Sequence, residues 1–209
     1  MKIKSILFIL LIQISLNAFA QNPVFKIGQK LNAHSFDFSV FNNQYYFPFL
    51  GIKNLVGSKY HPGLAFGYTR NLKVKKKSIF YLDAKLGVYH HRFIQTGIQL
   101  YGDIGYRFLL SRNFDISTDI TLGYLHAILH QTSFKADGDG NYKKVKNYGK
   151  SQFMTGIGIG VGKQIHSSSG TMRVFIKYQP WFQMPFIKSY VPLLPNNSMH
   201  LGVNFNISK

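Results

Sequence analysis

Along most of this chain, apolar residues alternate with other residues at a period of two. Six stretches alternate strongly, beginning near residues 79, 97, 114, 153, 172 and 199, and residues 31–41 and 61–71 alternate more weakly. Neighbouring side chains of a β-strand point to opposite faces, so this period predicts strands with one apolar face. The strong stretches run for about 10–15 residues, against the five or six that are usual in globular sheets. The pattern predicts eight long strands and an all-β fold.

The connections between these stretches alternate between short and long. Residues 111–113 and 167–170 are tight turns, whereas residues 42–60, 131–150 and 183–198 are long connections. Membrane barrels have this asymmetry, with short turns on the periplasmic side and longer loops outside. The connections therefore favour an antiparallel eight-stranded transmembrane β-barrel. A soluble barrel or sandwich is the alternative that the alternation leaves open.

A candidate targeting segment precedes the first strand. Lys2 and Lys4 come before a mostly apolar run at residues 6–16, and Ala18-Phe19-Ala20 has the form of a cleavage site. These features predict a secretory signal peptide at residues 1–20 and a barrel domain at residues 21–209. No later stretch has the ~18 consecutive apolar residues of a membrane helix.

Composition excludes several functional classes. The chain has 209 residues, no cysteine, and seven acidic residues that are all aspartate, so thiol nucleophiles, disulfides and HExxH metal sites are excluded. Charged residues make up 15% of the chain, against about 25% in ordinary soluble domains. The formal charge of +18 would suit nucleic acid. An exported protein does not meet nucleic acid, so we expect the lysines and arginines to lie beside anionic lipid headgroups instead.

Together, these features resemble the small eight-stranded outer-membrane β-barrel proteins of Gram-negative bacteria. The resemblance covers the predicted mature chain and implies location in the cell outer membrane, in contact with lipid and lipopolysaccharide. One departure is the C-terminus, which ends Phe205-Asn206-Ile207-Ser208-Lys209, whereas such barrels often end on an aromatic residue.

The strand phases, set from apolar residues alone, place charged residues on the inward face. An eight-stranded barrel has a lumen that side chains can just fill, and buried charges there should pair. We therefore predict a salt-bridge plug rather than a pore, with a path for protons or small ions as the alternative. The inward glycines 156–162 should make room for Phe175, Trp181 and Arg173, and a groove for an acyl chain or another apolar ligand is the alternative. The predicted network consists of Asp37, Asp83, Lys85, Asp103, Arg107, Asp115, Asp119, Arg173 and Lys177.

Histidines supply the candidate sites for chemistry. His61, His91 and His200 share the inward parity near one rim, so a metal site is a weak alternative to the prediction of no metal and no cofactor. His126, His130 and Ser133 resemble the histidine and serine of barrel-embedded lipid A deacylases and acyltransferases. A serine nucleophile needs a histidine that a third group orients, and no glutamate is available for this. We therefore predict no catalytic residues, with these three as the alternative.

The long connections are the candidate surface for a partner. Residues 45–50 and 190–195 are aromatic, apolar and rich in proline. Exposed apolar patches mark contact with a partner or with lipid, so loops 42–60 and 183–198 are the predicted interaction sites. A lid folded over the barrel mouth is the alternative. Residues 136–141 are predicted to form a flexible turn. The overall prediction is a structural or interaction barrel without enzymatic activity, and the alternative is a lipid-modifying enzyme.

Overall fold

The computed structural model describes residues 34–48, 60–111, 113–130, 133–136, 142–145, 148–167, 170–186 and 192–206. The predicted signal peptide at 1–20 lies outside these residues and stays a prediction. No helix of the described ranges is long and apolar enough to cross a membrane. The strands are β1 (His34–Gln44), β2 (Pro62–Val74), β3 (Ser78–His91), β4 (Gln95–Leu109), β5 (Phe114–Leu129), β6 (Ser133–Ala136), β7 (Tyr142–Val145), β8 (Lys150–Ser167), β9 (Gly170–Met184) and β10 (Leu194–Asn206).

Eight of the strands close into one antiparallel barrel. Their order is β1-β10-β9-β8-β5-β4-β3-β2, and closure comes from β1 and β10, which pair from Ser35–Asn206 to Gln44–Asn197. Closure leaves no strand of this sheet with unpaired backbone groups along its edge. The barrel strands are 11–18 residues long. The predicted eight-stranded antiparallel barrel is therefore confirmed, and the two weak stretches correspond to β1 and β2.

A small hairpin in the connection from β5 to β8 was not predicted. β6 and β7 pair as a two-stranded antiparallel sheet of their own, from Ser133–Val145 to Ala136–Tyr142. The sequence predicted residues 131–150 as one long connection, and this hairpin lies within it. It was not predicted because Ser-Phe-Lys-Ala and Tyr-Lys-Lys-Val are too short and too basic to give an apolar period of two.

The two ends of the barrel differ in their connections. The turn end carries the short connections 75–77, 110–113 and 168–169, together with the start of β1 and the end of β10. The loop end carries the connections 45–61, 92–94, 130–149 and 185–193. At the turn end, the Ser111 hydroxyl accepts the backbone N–H of Phe114 at 3.2 Å and thereby closes the β4–β5 turn.

The barrel is apolar outside and polar inside. Leu86, Leu100 and Ile120 point outward and are 57%, 60% and 59% exposed, whereas their neighbours along each strand are buried. A soluble barrel would have the opposite arrangement, because its core must exclude water. An outward apolar surface around a polar interior is the pattern of transmembrane barrels.

Candidate functional site

The lumen nearest the turn end is closed by an arginine–aspartate pair. Arg173 of β9 donates from Nε to both carboxylate oxygens of Asp115 of β5, at 3.0 and 2.8 Å, and also from its terminal nitrogen. Arg107 lies farther away, with Nε 3.9 Å from Asp115 Oδ1. Its guanidinium instead stacks over the ring of Tyr81, 5.1 Å from the centroid. A fork-like contact to both oxygens is the stronger arrangement, so Arg173 is the main partner of Asp115.

Two lysines hold the remaining lumenal carboxylates. Lys85 Nζ lies 3.1 Å from Asp37, 3.4 Å from Asp83 and 3.3 Å from Asp103. Lys177 Nζ lies 2.8 Å from both Asp103 and Asp119. Asp103 also accepts a hydrogen bond of 2.6 Å from the Thr121 hydroxyl, and it is fully buried. The structure places all nine residues of the predicted network in the lumen and brings them together as ion pairs.

Glycines of β8 leave the space that the charged side chains occupy. A Cβ atom at Gly158 would overlap Asp119 and Lys177, and one at Gly162 would overlap the Arg173 guanidinium. Gly156 faces Trp181 in the same way. These contacts agree with the steric interpretation of the glycine strip. Phe175 differs, because its ring fills the space beside Gly202 of β10.

An apolar layer separates the charged network from the loop end. Trp181, Tyr89 and Phe41 are almost completely buried at its centre. Transfer of an ion or a water molecule into such apolar surroundings costs free energy, because its hydrogen bonds to water are lost. The layer therefore acts as a barrier along the barrel axis. Its members are Phe41, Ala65, Tyr89, Tyr101, Leu125, Ala127, Met154 and Trp181.

Above the apolar layer, amide side chains fill the mouth of the barrel. Gln95 donates to Gln183 at 2.9 Å, and Asn43 donates to Asn196 at 3.1 Å; all four are fully buried. The Trp181 indole donates to Ser198 at 3.0 Å and joins the two layers. Sequence reasoning missed these amides because it followed only charges and histidines. The alternation of the strand could have revealed them, since Gln95 lies on the same inward face of β4 as Asp103.

Little free space remains between the charged side chains. A cavity of about 20 Å³ is lined by members of the network together with Tyr81, Ser117, Phe175 and Asn204. A space of this size holds about one water molecule. The lumen is therefore packed with side chains.

The three inward histidines do not form one site. His61 and His91 stack with ring centroids 3.6 Å apart. His200 stacks instead on Phe41 at 4.5 Å and lies 3.3 Å from the Ser39 hydroxyl. Among the described residues, no group of three or more histidine or acidic side chains could hold a metal ion. The structure therefore does not bring together the three histidines of the alternative His61–His91–His200 metal site, because His200 packs against Phe41 and Ser39.

His126 and His130 have ring nitrogens that are engaged elsewhere. His126 Nε2 lies 3.0 Å from the Tyr148 carbonyl, and its Nδ1 lies 3.2 Å from the Tyr124 hydroxyl. His130 contacts the Thr96 hydroxyl at 2.9 Å and the Arg92 carbonyl at 3.3 Å. The backbone of Ser133 belongs to β6, and its side chain lies outside the described residues. Neither imidazole contacts a carboxylate, since every described aspartate is in the lumen.

The architecture defines the chain as a small transmembrane β-barrel of the outer-membrane type, closed by eight strands and filled with side chains. It resembles the crystal structure of Neisserial surface protein A (NspA), with a TM-score of 0.54 at 10% identity over 83% of this chain and 96% of that one. Ail, the attachment invasion locus protein of Yersinia pestis, overlaps more loosely, with a TM-score of 0.38 at 11% identity over 83% and 97% of the chains. No family model and no curated protein matches the sequence. At these identities the likeness concerns the fold alone.

Proposed function

We propose that this protein is a sealed structural or interaction barrel of the outer membrane, and that it is neither a diffusion channel nor an enzyme. The observation that carries the proposal is the filled lumen, with ion pairs, an apolar layer and an amide layer stacked along its axis. The apolar exterior supports the location in a membrane. Bacterial barrels of this kind place short turns in the periplasm, so the loop end would face outside the cell.

The loop end is the proposed contact surface for a protein partner. Phe47 and Leu193, from loops 42–60 and 183–198, are 66% and 48% exposed. The Asn197 side chain at the start of β10 donates to the backbone carbonyls of Tyr46 and Phe47, so it holds the first of these loops against the strand that follows the second. Hydrogen bonds hold this apolar surface in place. An ordered, exposed apolar surface is typical of a site that binds a protein partner. Lipopolysaccharide would surround the same rim on its lipid-facing side.

Conductance tests the sealed lumen. Folded protein, identified by faster migration on a gel when it is not boiled, is added to a planar phosphatidylcholine bilayer. We expect no steady conductance steps under conditions in which a porin control opens channels. The proposal is rejected if the unmodified barrel gives steady, porin-like channels.

A substitution at Phe47 tests the proposed contact surface. The variant Phe47→Ser should retain its gel migration, because the side chain is exposed, and should lose any protein that co-purifies in mild detergent. The matched control is Leu100→Ser, which changes an outward side chain in the middle of β4. Equal recovery of the partner with Phe47→Ser and with the unmodified protein would reject this surface.

A further inference from the structure

The charges of the barrel are separated by sign. The five described aspartates are all buried in the lumen, and residues 137 and 139, the other two, lie outside the described ranges. On the outer surface of the described residues, every exposed charged side chain is therefore a cation. These cations are Arg70, Lys73, Lys75, Lys76, Lys77, Arg92, Lys150 and Lys163.

Six of the eight lie toward the turn end. Lys73 is the residue before the last of β2, and Lys75, Lys76 and Lys77 form the turn that leads into β3. Arg70 lies four residues before the end of β2, and Lys163 lies four residues before the end of β8. Arg92 and Lys150 are the two at the loop end. We call the six the turn-end cations.

Arg70 and Lys163 point toward lipid and not into the aqueous phase. Arg70 shares the outward face of β2 with Tyr68 and Leu72, which are 39% and 49% exposed. Lys163 shares the outward face of β8 with Val161 and Ile165, at 54% and 42%. A long basic side chain in such a row lies along the apolar surface and carries its charge to the level of the headgroups. The Lys163 ammonium also lies 5.5 Å from the centre of the Phe114 ring, beside the turn.

The turn-end cations lie on two opposite sides of the barrel, five on β2 and the β2–β3 turn and one on β8. β2 and β8 are four places apart in the closed order of eight strands, so Arg70 and Lys163 lie on opposite sides. Within the described surface no carboxylate neutralises either of them, because the aspartates face inward. A ligand that meets all six cations must therefore be anionic and must be distributed around the barrel, as a lipid leaflet is.

We propose that the turn-end cations bind the phosphate groups of anionic phospholipids, such as phosphatidylglycerol, in the leaflet next to the turn end. This inference rests on the proposed membrane location and goes beyond it by assigning lipid selectivity to one end of the barrel. A basic side chain near an anionic leaflet gains ~1 kcal/mol, which corresponds to roughly fivefold in lipid affinity. Neutral phosphatidylcholine carries no net charge and receives no such gain.

Quenching by brominated lipid tests the proposal on the full barrel. Phe108 is 48% exposed on the outward face of β4, and its neighbour Leu109 donates its backbone N–H to the Lys77 carbonyl. The variant Phe108→Trp thus places a fluorescent reporter beside the turn-end cations, and the signal of the protein without this change is subtracted. Vesicles contain mixtures of phosphatidylcholine and phosphatidylglycerol in which one or the other is brominated. We expect phosphatidylglycerol to bind roughly fivefold more tightly than phosphatidylcholine beside the reporter.

Matched variants identify the residues responsible. Replacement of all six turn-end cations by glutamine should abolish the preference, so that phosphatidylglycerol and phosphatidylcholine bind equally beside the reporter. If this variant fails to fold, Arg70→Gln combined with Lys163→Gln should still reduce the preference. The control, Arg92→Gln with Lys150→Gln, removes charge at the loop end and should retain it. Addition of about 0.5 M NaCl should weaken the preference, because salt screens exposed charges.

The outcomes separate this inference from the proposed location. Equal quenching by the two lipids would support the membrane location and would overturn the proposed lipid selectivity. A preference that survives removal of the six cations, or that the loop-end control also removes, would overturn their assignment. The absence of quenching by either lipid would reject the membrane location and the selectivity together.

Discussion

Lys177 of β9 and Asp103 of β4 form a 2.8 Å ion pair across the lumen, although β9 and β4 are three places apart in the barrel. Neither side chain could reach the other along the wall of the barrel. The pair forms because both point inward from opposing parts of a narrow cylinder. Asp103 contacts Lys85 as well, so one carboxylate joins the two lysines of the network.

Removal of the Lys177 charge should destabilise the barrel. The substitution Lys177→Met deprives Asp119 of its ion pair and leaves Asp103 with Lys85 alone, and a broken buried pair costs about 3–5 kcal/mol. The free energy of unfolding is measured by urea titration in neutral vesicles. Lys150→Met is the control, since Lys150 is exposed at the loop end. Equal losses of unfolding free energy for the two variants would mean that the lumenal ion pairs do not contribute to the stability of the barrel.

The two lumenal arginines should differ in their contribution to stability. Arg173→Ala leaves Asp115 without its closest partner, so we expect a loss of about 3–5 kcal/mol in the free energy of unfolding. Arg107→Ala should cost less, because Arg107 lies 3.9 Å from the same carboxylate and the Arg173 contacts persist. The comparison uses the same urea titration. A larger loss of unfolding free energy for Arg107→Ala would show that Arg107, and not Arg173, is the main partner of Asp115.

A methyl group on the β8 glycine strip should disrupt the plug. Gly162→Ala places a Cβ atom against the Arg173 guanidinium, and an overpacked core loses about 1–3 kcal/mol. Gly102→Ala is the matched control, because its Cβ atom would meet only the Asp83 carbonyl, at 3.4 Å. Thermal unfolding, followed by gel migration after heating, compares the two variants. Similar midpoints would show that β8 tolerates side chains at this position.

The single tryptophan should be shielded from lipid. Trp181 is 1% exposed and faces the lumen, and it is the only tryptophan of the chain. Its emission in vesicles of brominated phosphatidylcholine should match that in vesicles of unbrominated lipid. A tryptophan placed outward by Leu100→Trp should be quenched strongly. Quenching of the native tryptophan would place Trp181 on the lipid face and contradict the strand phases.

Lipid A should keep its acyl chains unchanged when this protein is expressed. The ring nitrogens of His126 and His130 contact Tyr124, Tyr148, Thr96 and Arg92 and not a carboxylate. A general base needs such an orienting group, and it must lie about 2.6–3.2 Å from its nucleophile. Mass spectrometry compares lipid A from cells with and without the protein. If an acyl chain is gained or lost, and His126→Ala or His130→Ala abolishes the change, the barrel is an enzyme.

The fold was predictable because the membrane imposes a period on every barrel strand. Each strand presents one face to lipid, so alternation located all eight, including β1 and β2. The first described residue of β1 is His34, and the predicted start at residue 31 lies outside the described residues. β6 and β7 face no lipid and therefore carry no comparable signal.

The inward position of the charges was also predictable, whereas their partners were not. Parity along one strand tells which side chains enter the lumen. It does not tell which of them meet, because contacts such as Gln95–Gln183 join residues 88 positions apart. Pairing depends on the stagger of the strands around the closed barrel, a property that no single stretch of sequence contains. The separation of His200 from His61 and His91 has the same origin.

The cross-lumen ion pairs have a consequence for how the chain assembles. A β3–β4 hairpin inserted by itself would bring Asp83 and Asp103, which are directly opposite one another, into the membrane with only Lys85 between them. Lys177 reaches Asp103 only after β8 and β9 have joined the sheet. A partial assembly of β1 to β5 would therefore carry carboxylates without full compensation in an apolar medium, which is costly. We expect insertion and closure to occur as one cooperative event, in which the last strands to arrive neutralise the first.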